Sequence, residues 1–106
     1  MSNIINLNDD NFDNTIKNST KPVIIDFMAN WCGPCRALTP FIEKMSDEYN
    51  DQFIFCKVNV EDAPNTTEKL SVLNLPCVIL YNNGFEVDRV IGFNQNGIKS
   101  LIETNA

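Results

Sequence analysis

The sequence contains no histidine, and this absence excludes several kinds of catalytic and metal site. Ser-His-Asp and Cys-His catalysis both use an imidazole as the general base, so neither is available to this chain. Zinc sites that need imidazole ligands are excluded for the same reason. Catalysis by a histidine-activated serine or cysteine is therefore impossible here.

Basic residues are also scarce. Eight Lys and Arg residues stand against 14 Asp and Glu residues, which gives a formal net charge of -6 at pH 7. No segment gathers basic side chains on one face, and nucleic-acid binding depends on such clusters of positive charge. We therefore expect no nucleic-acid partner.

Long apolar runs are absent as well. No stretch approaches the roughly 18 apolar residues that a membrane-spanning helix requires. The chain opens Met1-Ser2-Asn3-Ile4, without the basic segment and long apolar stretch of a signal peptide. We expect no membrane association and a cytoplasmic location, where a framework of structural disulfides is uncommon.

What the sequence does contain is enough apolar material for one core. Its 106 residues are 43% apolar and 9% aromatic, and no linker, repeat or low-complexity block interrupts them. A chain of this length buries about two-thirds of its unfolded surface, which is sufficient for a core without cross-links. We predict a single domain over residues 1–106 and take a monomer as the default state.

The hydrophobic pattern predicts elements in the order βαβαβαββα. The predicted strands cover residues 4–7, 22–29, 53–60, 77–81 and 85–91. The first predicted helix follows Asn8, the second begins in the cysteine motif and runs to about Tyr49, the third lies within 64–73, and the last follows Asn94. The second strand is apolar at nearly every position, which is typical of a central strand covered on both faces. Strands joined through helices favour parallel pairing, and the Asn82-Asn83-Gly84 turn predicts an antiparallel hairpin. The predicted fold class is α/β, a mixed sheet with helices on both faces.

Local signals also suggest where the helices begin and bend. Asn8 is a candidate N-cap for the first helix, with Asp9 and Asp10 in its first turn. The third helix has Asn65 or Thr66 as candidate caps, and the last helix has Asn94. Pro40 lies inside the second helix and removes one backbone hydrogen bond, so a kink is expected there.

The most informative feature is the motif Trp31-Cys32-Gly33-Pro34-Cys35, placed where a buried strand gives way to a helix. Two cysteines three residues apart lie on one helix face and can form a reversible disulfide. At the helix N-terminus the thiolate of Cys32 is stabilised, which makes it the attacking nucleophile, and the more covered Cys35 the resolving thiol. Gly-Pro adds no positive charge between the cysteines, which favours a reductant.

Asp26 places a carboxyl group inside the apolar run at 23–28. Burial of a carboxylate is unfavourable and raises its pKa, so Asp26 is a candidate proton acceptor for Cys35. Lys57, in the neighbouring apolar strand, is its predicted partner. The alternative is an Asp26–Lys57 pair that serves structure alone.

Nearly end to end, the chain resembles the thioredoxin family. The resemblance is carried by Asp26, the motif at 31–35, Lys57, Asn59, Pro64, Leu75-Pro76, Asn83-Gly84 and Gly92. It implies a protein-disulfide reductase without a cofactor, which acts on disulfide-containing client proteins, is recharged by a thioredoxin reductase and takes part in electron transport and cell redox homeostasis.

The resemblance also implies how clients are bound. Pro76 would be cis and pack against the cysteine pair, and Leu75 would offer backbone hydrogen bonds to an extended client. The implied apolar docking surface consists of Trp31, Gly33, Pro34, Leu75, Pro76, Ile91, Gly92 and Phe93. The alternative for Trp31 is a purely structural aromatic in the core.

Several positions depart from the family pattern. Met28 stands where most relatives have Trp, Cys77 follows Pro76 in place of Thr, and Phe93 enlarges a usually small position. Cys56 lies in an apolar strand, which favours simple packing. Cys77 should be turned away from the active-site surface by strand alternation, with a regulatory thiol as the alternative.

Three other functions compete with the reductase. A metal or iron–sulfur module would use all four cysteines, although zinc modules usually pair two short spacings, so we predict no metal. A binding subunit of the same fold would do no chemistry and would not need both motif cysteines and Asp26. A disulfide oxidase or isomerase is opposed by the Gly-Pro dipeptide and by the missing signal peptide.

Overall fold

The computed structural model describes residues 3–106, and the start of the chain at Met1 and Ser2 lies outside them. The order of elements is the predicted one. The strands are β1 (Ile5–Leu7), β2 (Val23–Met28), β3 (Ile54–Asn59), β4 (Cys77–Asn82) and β5 (Phe85–Ile91). The helices are α1 (Phe12–Asn18), α2 (Gly33–Tyr49), α3 (Pro64–Lys69) and α4 (Gln95–Asn105).

The five strands form one mixed sheet in the order β1-β3-β2-β4-β5. β3 pairs in parallel with β1 and β2, whereas β4 is antiparallel to both β2 and β5. All six residues of β2 are buried, as predicted for a central strand. The β4–β5 hairpin turns at Asn83 and Gly84, whose φ angles of 55° and 83° suit an Asn-Gly turn.

Each face of the sheet is covered by its own pair of helices, which confirms the predicted layers. On one face α1 contributes Phe12 and Ile16 to a cluster that also contains Ile25 and Phe27 of β2. We call this the α1/α3 face. On the other face, the α2/α4 face, lie Ile24 and the buried residues of the two longer helices, namely Leu38, Ile42, Met45, Ile98, Leu101 and Ile102.

Two of the three predicted helix caps are wrong. α1 begins at Phe12, because Asn8 Oδ1 accepts the amides of Asp10 and Asn11 and so closes a turn before the helix. Neither Asn65 nor Thr66 caps α3. Their amides instead donate to the Asp9 carboxylate, at 3.2 and 2.8 Å, so the cap comes from a distant part of the chain.

The third predicted cap is confirmed. Asn94 Oδ1 accepts the amide of Gly97 at 2.8 Å at the start of α4. α2 runs through Pro40 without interruption from Gly33 to Tyr49, and the kink at Pro40 stays a prediction. Within residues 3–106 no helix has both the length and the apolar character needed to cross a membrane.

Candidate active site

The cysteine motif occupies the junction between β2 and α2, at the end of the central strand. Cys32 is the N-cap residue of α2, and its Sγ accepts the amide of Cys35 at 3.2 Å. Cys32 and Cys35 form a disulfide with their Cα atoms 5.3 Å apart. Pro34 lies in the first turn, where its missing N–H leaves no helix hydrogen bond unmade. The sequence therefore places a redox-capable sulfur pair at a helix N-terminus.

Both sulfurs lie against apolar residues at the end of β2. Cys32 is 6% exposed and Cys35 is 1% exposed, so the second cysteine is the more covered, as predicted. The pair packs with Met28 and Ala29. Chemistry at this disulfide therefore takes place beside Met28, the position at which the chain departs from the family pattern.

Asp26 lies under the motif, on the same side of the sheet as α2. Strand alternation places it between Ile24, which packs in the α2/α4 face, and Met28, which packs against the disulfide. Its side chain is buried, and Oδ1 has no hydrogen-bond partner within the described residues. Burial raises the pKa of Asp26 to about 7, and the charge of Lys57 opposes part of this rise.

Lys57 is the direct neighbour of Asp26 across the β2–β3 pairing. It is half-buried, and its influence on Asp26 is electrostatic and not a direct ion pair. Among residues 3–106 the one ion pair is formed by Glu86 and Arg89, at the far side of the sheet. The structure thus makes the two predicted residues neighbours across the strand pairing, and the catalytic role of Asp26 stays a prediction.

The predicted docking surface is mostly exposed. Trp31 is 67% exposed, which removes the interpretation of Trp31 as a core aromatic. Gly33, Pro34, Ile91 and Phe93 are also exposed, and Leu75 and Gly92 are half-buried. The exception is Pro76, which is buried and lies beneath the surface rather than on it.

The Leu75–Pro76 peptide bond is cis, as the family resemblance implied. The carbonyl of Pro76 accepts the amide of Gly92 at 2.7 Å, which joins this loop to the end of β5. Gly92 has a φ angle of 89°, a left-handed conformation that glycine adopts without strain. The bond explains how residues distant in sequence, Leu75 and Gly92, come to lie on one surface.

One large exposed side chain near this surface was missed by the sequence reasoning. Leu73 is 85% exposed, the highest value among the large apolar residues that the structure describes. It lies two residues before Leu75 in the same loop. A large apolar residue so close to the predicted binding segment was a visible signal in the sequence.

The other two cysteines are separate from the site. Cys56 and Cys77 are each 1% exposed and pack in the α1/α3 face. Burial raises the pKa of the Cys56 thiol to about 12, and burial also raises that of Cys77. No group of three or more Cys, Asp or Glu side chains within residues 3–106 is placed to hold a metal ion.

Comparison with known proteins agrees with this geometry. Residues 3–104 match the family model described as Thioredoxin. The chain is 38% identical over 94 residues to Thioredoxin-2 of Saccharomyces cerevisiae, with 89% of each chain covered. It is 39% identical over 98 residues to the thioredoxin of Rickettsia typhi, with 92% of this chain and 91% of the relative covered.

A solved structure of Plasmodium falciparum thioredoxin superposes with a TM-score of 0.91 at 36% identity. The match covers 97% of this chain and 100% of that one. Sequence, fold and the position of the disulfide therefore point the same way. The chain belongs to the thioredoxin family and is a thiol–disulfide oxidoreductase, a protein-disulfide reductase whose redox-active group is the Cys32–Cys35 disulfide.

Proposed function

We propose that Cys32 is the attacking nucleophile and Cys35 the resolving thiol in the reduction of client protein disulfides. The observation that carries this assignment is the position of the disulfide. Cys32 is the N-cap residue of α2, where unpaired amides and the helix dipole favour a negative charge. Cys35 is one turn further in and is more fully covered.

The reaction runs from the reduced, dithiol form in two exchange steps. The Cys32 thiolate attacks one sulfur of the client disulfide, so that the client S–S bond breaks, a mixed disulfide forms and one client thiolate leaves. Cys35 then loses its proton and attacks the sulfur of Cys32. This closes the Cys32–Cys35 disulfide seen here and releases the second client thiolate. Two electrons pass from the protein to the client.

Asp26 is the proposed proton acceptor for Cys35. It lies on the α2 side of the sheet, next to Met28, and Met28 packs against the disulfide. Burial raises its pKa to about 7, so that near neutral pH it can both take up and release a proton. Lys57 opposes that rise, which keeps a fraction of Asp26 ionised and ready to accept.

Clients are proposed to bind across the exposed residues around the motif. Trp31, Ile91 and Phe93 offer apolar contacts, and Gly33 and Pro34 add no bulk beside the sulfurs. The backbone of Leu75 makes no hydrogen bond within the described residues. It can therefore pair with an extended client segment, as an added strand does. Pro76 supports this segment from below.

A dithiol donor must return the protein to its reduced form after each turnover. We propose a thioredoxin reductase for this step, which gives the protein a place in electron transport. The domain boundaries 1–106, the monomeric state and the cytoplasmic compartment are proposals of the same kind. One relative, 34% identical, is the chloroplastic M-type thioredoxin of Chlamydomonas reinhardtii, so the family also serves other compartments.

The experiment is the reduction of insulin by dithiothreitol in the presence of the protein. Catalysis by the unmodified chain is expected, and Cys32→Ser is expected to be inactive. Reduced Cys35→Ser, freed of dithiothreitol before insulin is added, is expected to accumulate a mixed disulfide with insulin that mass spectrometry detects. Cys56→Ala is the matched control, because it removes a thiol outside the site. Trapping of insulin on Cys35 in the Cys32→Ser variant would reverse the assignment, and absence of catalysis by the unmodified chain would favour a binding subunit.

A further inference from the structure

The loop between α3 and β4 carries Leu75, and its middle is not held by hydrogen bonds. Its first residues close α3, since the amides of Leu70, Ser71 and Val72 donate to carbonyls of that helix. Ser71 then takes a left-handed conformation with φ 55°, which turns the chain away from the helix. The next residues, 73–75, make no hydrogen bond within the described part of the chain. Their backbone groups are left for a client, while Val72 and Leu75 pack against the α1/α3 face.

Two hydrogen bonds also hold the loop, one at each end, to Arg89 of β5 and to Gly92 just after that strand. At the end near the active site, the Gly92 amide donates to the Pro76 carbonyl at 2.7 Å. At the other end, Arg89 Nη2 donates to the Leu70 carbonyl at 3.0 Å. Residues 71–75 therefore lie between two points at which the loop is hydrogen-bonded, one to Arg89 and one to Gly92.

The Arg89 attachment is itself held in place by Glu86. Nε and Nη2 of Arg89 each lie 2.7 Å from a different oxygen of the Glu86 carboxylate, a bidentate geometry that fixes the plane of the guanidinium. The two side chains are 24% and 33% exposed, so water screens the pair only in part. The planar group can thus present the second N–H of Nη2 to the Leu70 carbonyl in one orientation.

The segment held in this way presents the apolar side chain of Leu73 to solvent. Leu73 is 85% exposed within it, and Ile91 of β5 is 56% exposed. Leu73 therefore adds an exposed apolar side chain two residues before Leu75, the residue predicted to pair with the client. A shift of the segment would move both Leu73 and the unpaired backbone of Leu75 relative to the disulfide.

We propose that Arg89, oriented by Glu86, is a positioning residue that holds segment 71–75 for client proteins and takes no part in the thiol chemistry. The proposal rests on the function proposed above, because it concerns the surface that binds the client. It assigns to Arg89 an effect on affinity for extended protein disulfides. The reduction of a small disulfide, which contacts the sulfurs alone, should not depend on Arg89.

The test compares insulin with cystine as the substrate for three variants, with dithiothreitol as the reductant. Arg89→Met keeps an unbranched apolar stem and removes every donor. Its KM for insulin should rise about fivefold to tenfold, as expected for a lost charge-assisted hydrogen bond, with kcat unchanged. Arg89→Lys keeps one charged donor and should recover part of that loss. Lys99→Met removes the same charge from the exposed face of α4 and should match the unmodified chain.

Rates with cystine should be equal for all of these proteins. Equal KM values for Arg89→Met and Lys99→Met would overturn the positioning role while leaving the proposed function intact. An equal loss of rate with insulin and with cystine in Arg89→Met would also overturn the positioning role, because Arg89 would then act on the sulfurs or on the fold. Failure of the unmodified chain to reduce insulin would instead refute the proposed function. If Arg89→Met does not fold, Glu86→Gln gives the same comparison, with an expected rise in KM of about twofold to threefold.

Discussion

The four cysteines form two pairs that differ in placement far more than in burial. Cys32 and Cys35 are 6% and 1% exposed, and Cys56 and Cys77 are each 1% exposed. The first pair lies at the N-terminus of a helix and is disulfide-bonded. The second lies within strands, on the opposite face of the sheet, with both thiols free. The comparison teaches that exposure alone does not mark a reactive cysteine.

Sheet order explains why the second pair stays reduced. Cys56 is on β3 and Cys77 is on β4, with β2 between these strands. Neighbouring strands are about 4.8 Å apart, so two intervening spacings exceed the roughly 7 Å that a disulfide can bridge between Cα atoms. The two thiols also lack the helix N-terminus that favours a thiolate at Cys32. Both are buried, and packing stays the predicted role for each.

The largest expected effect is on catalysis. Cys32→Ser should reduce the rate of insulin reduction to that of dithiothreitol alone, because no attacking thiolate is left. Cys56→Ala should keep the rate within about twofold of the unmodified chain, because a change in packing away from the active site affects stability and not the thiol exchange. The measurement is the initial rate at matched protein concentration. A strong loss of rate in folded Cys56→Ala would break the distinction between the pairs.

The next effect is on alkylation of the reduced, folded protein by iodoacetamide. Cys32 should be labelled at least about 100-fold faster than Cys56, because the raised pKa and burial leave Cys56 almost entirely as the unreactive thiol. Mass spectrometry of peptides after timed labelling measures each site separately. Unfolding in urea is the control, since it should make the rates at all four cysteines similar. Fast labelling of Cys77 in the folded state would revive its interpretation as a regulatory thiol.

Asp26 provides a third test, because burial of an ionised carboxylate destabilises the fold far more than burial of a thiol does. Burial raises the pKa of Asp26 in the folded state to about 7, above the ordinary value of 3.8 for an aspartate. The folded state therefore holds the proton more tightly, and ionisation destabilises the fold as pH rises from about 4 to 7. Asp26→Asn should thus raise the free energy of unfolding by up to about 4 kcal/mol at pH 8 and by almost nothing below pH 4.

The measurement for Asp26 is urea unfolding at a series of pH values. Glu103→Gln, at an exposed position of α4, is the matched control. Its change in the free energy of unfolding should not vary with pH. The same variant of Asp26 should slow release of the client from the mixed disulfide at neutral pH, since Cys35 loses its proton acceptor. A stability gain that does not depend on pH would contradict the raised pKa.

The smallest effect is on packing around the free thiols. Cys56→Ala removes one buried sulfur from the α1/α3 face and should lower the free energy of unfolding by about 1 to 2 kcal/mol. Cys77→Ala should do the same, because that thiol is equally covered. Urea unfolding under reducing conditions measures both. A change near zero for either variant would indicate that its thiol fills no tightly packed position.

Much of this molecule can be predicted from local sequence. The apolar run of β2, the Asn-Gly turn before β5 and the cap by Asn94 depend on neighbouring residues, and each was identified correctly. The start of α2 could be predicted for the same reason, because it depends on residues of the Cys-Gly-Pro-Cys motif itself. These features require no knowledge of which distant segments meet.

The errors concern partners far apart in the chain. Asp9 caps α3 across 56 and 57 residues, and nothing near Asn65 or Thr66 reveals this. The Glu86–Arg89 pair was invisible for another reason. Residues three apart point to opposite faces of a regular strand, and a shift in β4–β5 pairing between Leu80 and Tyr81 brings these two together. Such irregularities arise from the pairing of strands and have no local signature.

The most direct test is a redox titration of the Cys32–Cys35 pair in a dithiol/disulfide buffer, followed by the fluorescence of Trp31. Trp31 is the only tryptophan and adjoins Cys32, so its emission reports the state of the pair. We expect one two-electron transition well below about −180 mV, the value typical of disulfide isomerases, and its loss in Cys32→Ser. A midpoint near or above that value, or no reversible transition, would contradict a protein-disulfide reductase.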